Sequence, residues 1–192
     1  MNDQPHLRAD AARNRRAILD ATEELLGRYR PEQVSMDRVA AAAGVGKGTV
    51  FHRFGSRMGL MVALMQERAA DLLVAVESGP PPVGPGAPPR ERLIGFLDAM
   101  VDVIGRNKGL LAALGQAVTV ERDPADPHPW YDFCHRHVAG LLADLRPDLD
   151  AEVLAHVLLA GLHSGPVLHL LERGEGPRLA ATLRATVGAL LD

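Results

Sequence analysis

The stretch from Ser35 to Arg57, SMDRVAAAAGVGKGTVFHRFGSR, constrains the fold of this chain more than any other part. Its spacing predicts a short helix that begins after Ser35, a tight turn at Gly44 and Val45, and a second short helix over about 46–53. Two short helices around such a turn are the layout of a helix-turn-helix, whose second helix enters the major groove of DNA.

Each part of this layout has a physical reason. Ser35 is a good N-cap, and small alanines at positions 40–43 let the second helix approach closely. Gly44 can adopt the left-handed conformation that ends a helix without a penalty from Cβ. In the second helix, Val50 and Phe54 are expected to turn inward, which leaves the other faces free to meet DNA.

Apolar residues recur at helical spacing through most of the rest of the chain. Hydrophobic residues make up 47% of the composition and aromatic residues only 4%, which favours helices over strands. Residues 78–89, SGPPPVGPGAPP, cannot be helical. The remaining helices are predicted over about 13–29, 57–77, 90–104, 109–118, 129–145, 150–171 with a kink at Pro166, and 179–191.

The predicted fold is therefore all-α with about nine helices. We divide it into a helix-turn-helix domain at 1–57 and a helical body at 58–192, with helix four (about 57–77) leading into the body. Residues 1–57 carry 10 Lys and Arg against 7 Asp and Glu, whereas residues 58–192 carry 11 against 17. A basic head on an acidic body suits a nucleic-acid-binding head.

The N-terminal arginines Arg8, Arg13, Arg15 and Arg16 have two interpretations. They can contact phosphates, or they can form a solvated basic arm. One cysteine, Cys134, excludes an internal disulfide. The sequence shows neither a secretory leader nor a stretch that is long and apolar enough to cross a membrane, so we expect a cytoplasmic protein with no membrane partner.

Histidines are concentrated in the body. His156 and His163 fall on one helical face, which makes transition-metal binding conceivable, although no structural-zinc pattern is present and we predict no metal site and no cofactor. Cys134 beside His135 suggests a nucleophile, but adjacent residues on a helix point in different directions. We therefore do not expect an enzyme.

Apolar faces in the body also suggest a cavity for a small molecule. Phe96, Met100 and Ile104 share one face of the helix at 90–104. Ordinary core packing explains these residues as well as a pocket does. The residues that we place in a candidate pocket are Phe96, Met100, Ile104, Leu114, Trp130, Phe133 and His137.

The ordered block at residues 13–64 resembles the TetR family of bacterial transcription regulators. It contains RRAILDATEELL and VSMDRVAAAAGVGKGTVFHRFGSRMGL. The resemblance implies a homodimer built by the last two helices (about 150–172 and 177–191) and a small-molecule effector bound in the body. The chain departs from the usual family pattern at Gly46, at Phe51, where the family often has Tyr, and at Met58 and Gly59, where an acidic pair is common.

The predicted function is a ligand-responsive transcriptional regulator, most simply a repressor, that binds a palindromic DNA operator as a homodimer. Lys47 can meet a guanine edge or a phosphate, and Gly48 either lets the backbone approach DNA or serves turn geometry. Alternatives are a metal-responsive regulator with the same head, an enzyme that uses the Cys134 region, and an adaptor that no longer binds DNA. The predicted DNA contacts are Ser35, Lys47, Gly48, Thr49, Phe51, His52, Arg53 and Arg57.

Overall fold

The computed structural model describes residues 4–113 and 129–192, and the regular elements in these two ranges are all helical. This confirms the predicted all-α class. A short 3-10 turn at Pro31–Gln33 separates the first two α-helices. The nine α-helices of the described ranges are α1 (Gln4–Arg28), α2 (Met36–Ala42), α3 (Lys47–Phe54), α4 (Arg57–Ser78), α5 (Pro89–Ala113), α6 (Pro129–Leu145), α7 (Ala151–Leu162), α8 (Gly165–Glu172) and α9 (Gly176–Leu191).

The described residues form two compact units. The first runs to Arg68 and the second comprises Ala69–Ala112 and the described residues from Pro129 onward. Helix α4 contributes to both units. The first unit thus extends past residue 57. The predicted division into functional domains between residues 57 and 58 stays a prediction.

The first unit has a small core between α1, α2, α3 and the start of α4. Ile18, Val39, Val50 and Leu60 are completely buried there. Thr22 is also buried, and its hydroxyl donates to the carbonyl oxygen of Ile18 at 2.7 Å, which satisfies the hydroxyl within α1. These contacts fix α3 against the rest of the unit while leaving its other faces outward.

The second unit has a larger core. Helix α6 packs along α7, and α7 packs on α8, which packs on α9. Its buried cluster takes side chains from each helix between α4 and α9. Leu93, Phe96, Val138, Leu142 and Leu159 are among its fully buried members. An apolar core of this kind is the main source of stability for a helical unit.

Helix boundaries differ from the predictions in three places. Helix α1 begins at Gln4, before the start predicted at about residue 13. Helix α5 is continuous from Pro89 to Ala113, where separate helices at 90–104 and 109–118 were expected; residues 114–118 lie outside the described residues. Pro166 lies at the start of α8 rather than within a kinked helix, because α7 ends at Leu162 and the chain bends by 46° before α8.

Within the described ranges, none of the helices taken singly has the length and apolar composition of a membrane span, although the bent pair α7 and α8 passes that test when the two are taken together.

Candidate nucleic-acid interface

The turn between α2 and α3 has the predicted geometry. The Ser35 hydroxyl caps α2 by accepting a hydrogen bond from the backbone N–H of Arg38 at 3.2 Å. Gly44 has a φ of 66°, in the left-handed region that favours glycine. The N–H of Val45 donates to the carbonyl oxygen of Ala40 at 3.0 Å, which closes the end of α2. The N-cap and the glycine turn are therefore confirmed.

Helix α3 buries one side and exposes the other. Val50 is fully buried and Phe54 is half-buried. Gly48 and His52, on the side opposite Val50, are exposed, as are Lys47 and Arg53. Of the other predicted DNA contacts on α3, Thr49 is half-buried and Phe51 is 41% exposed.

The exposed glycine in α3 is not required by the turn. Gly48 lies inside the helix and is not among the glycines with a positive φ. A Cβ atom at this position would meet no atom within 4 Å. Turn geometry and packing thus leave glycine at 48 unexplained, whereas close approach of a bound duplex would explain it.

Lys47 already has a partner in the first unit. Its ammonium lies 2.8 Å from a carboxylate oxygen of Asp37. The side chain of Lys47 is 60% exposed and that of Asp37 is 62% exposed. The ammonium also lies 5.7 Å from the centre of the Phe51 ring. The sequence did not predict this pairing, because a separation of ten residues across a turn has no simple periodicity.

The two helix-opening residues differ in their placement. Ser35 is exposed, and its hydroxyl oxygen caps α2. Arg57 is half-buried and donates to the carbonyl oxygen of Pro31, while its Nε atom is enclosed with no hydrogen-bond partner among the described residues. In this structure, the guanidinium of Arg57 therefore ties α4 to the turn before α2.

The basic residues of α1 are engaged with carboxylates. Arg15 and Arg16 both bind Glu67 of α4, and the hydrogen bond from Arg15 is the main cause that holds the pKa of Glu67 below its usual value. Arg13 pairs with Asp10. The side chain of Arg8 lies outside the described residues. Ion pairs between α1 and α4 support the unit structurally, and phosphate contact by these arginines stays a prediction.

Comparisons with known proteins agree with this geometry. Residues 18–64 match the model of the family described as bacterial regulatory proteins, tetR family. The helix-turn-helix region of the chain is therefore of the TetR type. An HTH-type transcriptional repressor of Mycobacterium tuberculosis is 28% identical, with 90% of each chain covered.

Solved structures show the same fold. A TetR-family transcriptional regulator from Pectobacterium atrosepticum superposes with a TM-score of 0.62 at 21% identity, covering 96% of this chain and 95% of that one. A transcriptional regulator of the TerR/AcrR family from Aquifex aeolicus gives a TM-score of 0.55 at 18% identity, covering 92% and 99%. This chain therefore has the fold of these proteins, with a helix-turn-helix in its first unit.

The predicted pocket residues that the structure describes belong to the apolar core of the second unit or pack against it. The rings of Phe96 and His137 are 4.8 Å apart, and those of Phe133 and His137 are 6.3 Å apart. Met100 is 1% exposed, whereas Ile104 and Trp130 are half-buried. Leu114 lies outside the described residues. Their role in ligand binding stays a prediction.

His137 is the unusual member of this cluster. Its Nε2 atom is enclosed with no hydrogen-bond partner in the described part of the chain. Burial, with a contribution from the charge of Arg92, lowers the pKa of His137 to about 4. The ring is therefore neutral near pH 7 and packs as an aromatic group.

The body histidines and Cys134 are the residues on which the metal and enzyme alternatives depend. Among residues 4–113 and 129–192, no group of three or more His, Cys, Asp or Glu side chains is arranged to hold a metal ion. His128 lies outside these ranges. Cys134 is 1% exposed, and burial raises the pKa of its thiol to about 12, so the thiol is protonated near pH 7. A buried, protonated thiol is a poor nucleophile.

Proposed function

We propose that this regulator is a ligand-responsive repressor that binds a palindromic DNA operator in the bacterial cytoplasm as a homodimer. The observation that carries the proposal is the exposed face of α3, where Lys47, Gly48 and His52 point away from the buried side of the helix. The M. tuberculosis relative is named a transcriptional repressor, which supports repression over activation.

Phosphate and base contacts have different consequences in this proposal. Lys47 and Arg53 supply positive charge to the phosphate backbone, and this part of the affinity weakens as salt rises, because counterions are released on binding. His52, on the side of α3 that lies farthest from Val50, reads a base edge in the major groove. Phe51 offers an apolar contact to a thymine methyl group or a sugar.

The dimer is proposed on the outward faces of the last helices. Val153 and Val157, one turn apart on α7, are 57% and 62% exposed. Exposed small residues lie on α9 at Thr182, Ala185 and Ala189. An apolar stripe on α7 and small side chains on α9 suit close helix packing between two copies.

Ligand response requires a difference in affinity. An effector that binds the free dimer more tightly than the operator-bound dimer releases DNA by thermodynamic linkage. Equal effector affinity for both forms would refute this part of the proposal.

The test of DNA binding is a double variant, Lys47→Ala with His52→Ala. We expect it to lose retention of operator DNA while circular dichroism and the dimer stay unchanged, because both side chains are exposed and α3 keeps its buried side. The matched control replaces the corresponding residue types in the body, Lys108→Ala with His169→Ala, and should retain the operator. Unchanged retention by the first variant would refute the placement of the reading helix.

A further inference from the structure

The second unit contains a cavity of about 370 Å³ between α5 and the segment that joins α8 to α9. It lies apart from the cluster around His137, and none of the predicted pocket residues lines it. On α5, the lining residues Asp98, Val101, Asp102 and Gly105 recur at helical spacing, so one stripe of that helix forms a wall. The volume falls at the small end of the range for ligand sites.

Glycines keep this cavity open where side chains could fill it. A Cβ atom at Gly105 would lie 3.5 Å from the Leu171 side chain, which is an ordinary contact. A Cβ atom at Gly176 would lie 3.7 Å from Leu171 and 3.8 Å from Val101. Neither glycine has a positive φ. Backbone geometry and packing therefore permit alanine, and Gly105 lowers the helix propensity of α5 where alanine would raise it.

The cavity wall has an apolar part and a polar part. Val101, Leu171 and Ala180 are buried apolar residues of the lining. On the polar part, Asp102 binds Arg106 at 2.7 Å, which balances the charge of both groups. A ligand that fits this wall has an apolar body.

Asp98 determines which polar group a ligand in this cavity must carry. One of its carboxylate oxygens, Oδ2, accepts from Arg184 at 2.8 Å. The other, Oδ1, is enclosed and has no donor among the described residues. A carboxylate oxygen that lacks a donor favours a ligand with an N–H group, and a charged donor gives the stronger hydrogen bond.

We propose that this cavity binds a small organic cation, an amine with an apolar body, with its ammonium group on Asp98. The carboxylate turns slightly about its Cβ–Cγ bond so that Oδ1 reaches the amine, and the long side chain of Arg184 follows Oδ2. The apolar body lies against Val101, Leu171 and Ala180. The role of this cavity as an effector site rests on the proposed function, whereas the binding of an amine in it does not.

The test compares three probes with one indole body: tryptamine, which is a cation, tryptophol, which is neutral, and indole-3-acetate, which is an anion. Titration calorimetry and amide NMR shifts of the full chain should give the tightest binding for tryptamine, at least tenfold tighter than tryptophol, and the weakest for indole-3-acetate. Equal affinity for the three probes, or no binding of tryptamine, would overturn the proposal.

Variants locate the binding. Asp98→Asn should weaken the binding of tryptamine at least tenfold, so that its affinity equals that of tryptophol. The matched control is Asp192→Asn, because Asp192 also pairs with an arginine at 2.8 Å between α9 and α5 but does not line the cavity; it should bind tryptamine like the wild type. Gly105→Leu fills the cavity and should block tryptamine and tryptophol. Equal effects of Asp98→Asn and Asp192→Asn would overturn the assignment of Asp98.

The two proposals fail separately in this design. Operator retention is measured on the same wild-type sample without any probe. Intact retention with no tryptamine binding overturns the cavity site and leaves the DNA-binding proposal standing. Tryptamine binding without operator retention supports the cavity and overturns the DNA-binding proposal.

Discussion

At the scale of single residues, the pair between Lys47 and Asp37 affects how the head meets DNA. The ammonium must leave Asp37, 2.8 Å away, before it can neutralise a phosphate. The carboxylate also adds negative charge beside a surface proposed to face a polyanion. Asp37 thus opposes contacts that need only positive charge, and sequence-specific contacts of the other α3 residues gain relative weight.

Asp37→Asn is therefore expected to raise affinity for non-specific duplex DNA about two- to fivefold at low salt, since exposed ion pairs contribute about 0.2–1 kcal/mol. The dependence of log affinity on log salt should steepen by up to about 1. Fluorescence anisotropy across a salt series measures both. The control is Asp148→Asn, because Asp148 is exposed to 60% and pairs with an arginine in the body. A fall in affinity for Asp37→Asn would contradict this account.

His137 gives a prediction on pH. Its pKa is about 4 in the folded protein against 6.5 for an ordinary histidine. Between these values the unfolded chain binds a proton that the folded chain does not, so this contribution to stability is complete above about pH 6.5 and falls with decreasing pH until about 4. The fall is at most about 1.4 kcal/mol per pH unit.

Urea unfolding at pH 7 and pH 5 measures this effect. From pH 7 to pH 5, the unfolding free energy of the wild type should fall by about 1–2 kcal/mol more than that of His137→Gln. Glutamine keeps a polar side chain at this position but does not titrate. Comparing the two proteins cancels the contributions of their shared carboxylates. Identical losses in both proteins would show that His137 titrates normally in the folded state.

At the scale of elements, Gly48 in α3 and Gly59 in α4 separate the effect of a glycine on stability from its proposed effect on DNA contact. A Cβ atom at Gly48 would meet nothing within 4 Å, whereas one at Gly59 would lie 2.1 Å from the carbonyl oxygen of Phe54. The close approach at Gly59 fixes the start of α4 against the end of α3. The free space at Gly48 lies on the exposed side of α3.

Gly48→Ala should raise the unfolding free energy by up to about 1 kcal/mol, because alanine favours helix, and should weaken operator binding at least tenfold. Gly59→Ala should lower the unfolding free energy by about 1–3 kcal/mol through the forced shift of backbone. Urea unfolding and anisotropy on the same samples test both variants. Wild-type operator affinity in Gly48→Ala would show that the backbone of α3 does not approach DNA closely.

Local signals predicted the helix-turn-helix well, because its caps and turn depend on neighbouring residues. The Ser35 cap, the left-handed Gly44 and the bounds of α6 are all confirmed. Helix α5 was wrongly predicted as two helices, at 90–104 and 109–118. The stretch between them contains Gly105, and glycine is a weak helix former. In the structure, buried residues on both sides of this stretch, Val103 and Leu110, are on one continuous helix.

The parts of the candidate sites that sequence could not give depend on contacts between distant residues. The pairing of Arg15 and Arg16 with Glu67 joins residues 52 and 51 positions apart. The cavity beside Asp98 combines a stripe of α5 with the turn before α9. Helical spacing shows that such a stripe exists, but not which partner faces it or whether a gap is left between them.

At the scale of the whole molecule, the proposal requires two copies that act together. One head offers few contacts, and symmetry doubles them on a palindromic site. The face proposed for this pairing includes the exposed valines of α7, and their exposure in one copy would be explained by a second copy that covers them.

Val153→Asp with Val157→Asp should give a monomer by analytical ultracentrifugation and reduce operator affinity at least a hundredfold, because each head then binds alone. Circular dichroism should be unchanged. Val74→Asp is the matched control, since Val74 on α4 is 59% exposed, and it should leave the dimer and the operator affinity intact. A dimer that survives both aspartates would place the interface elsewhere.

Selection of bound sequences from a random duplex library shows directly whether two paired copies of α3 read DNA. The wild type should enrich an inverted repeat whose half-sites are centred about one helical turn, ~34–36 Å, or a multiple apart. Lys47→Ala with His52→Ala should enrich nothing. Enrichment of sites without two-fold symmetry, or the same sites from the double variant, would contradict reading of DNA by paired copies of α3.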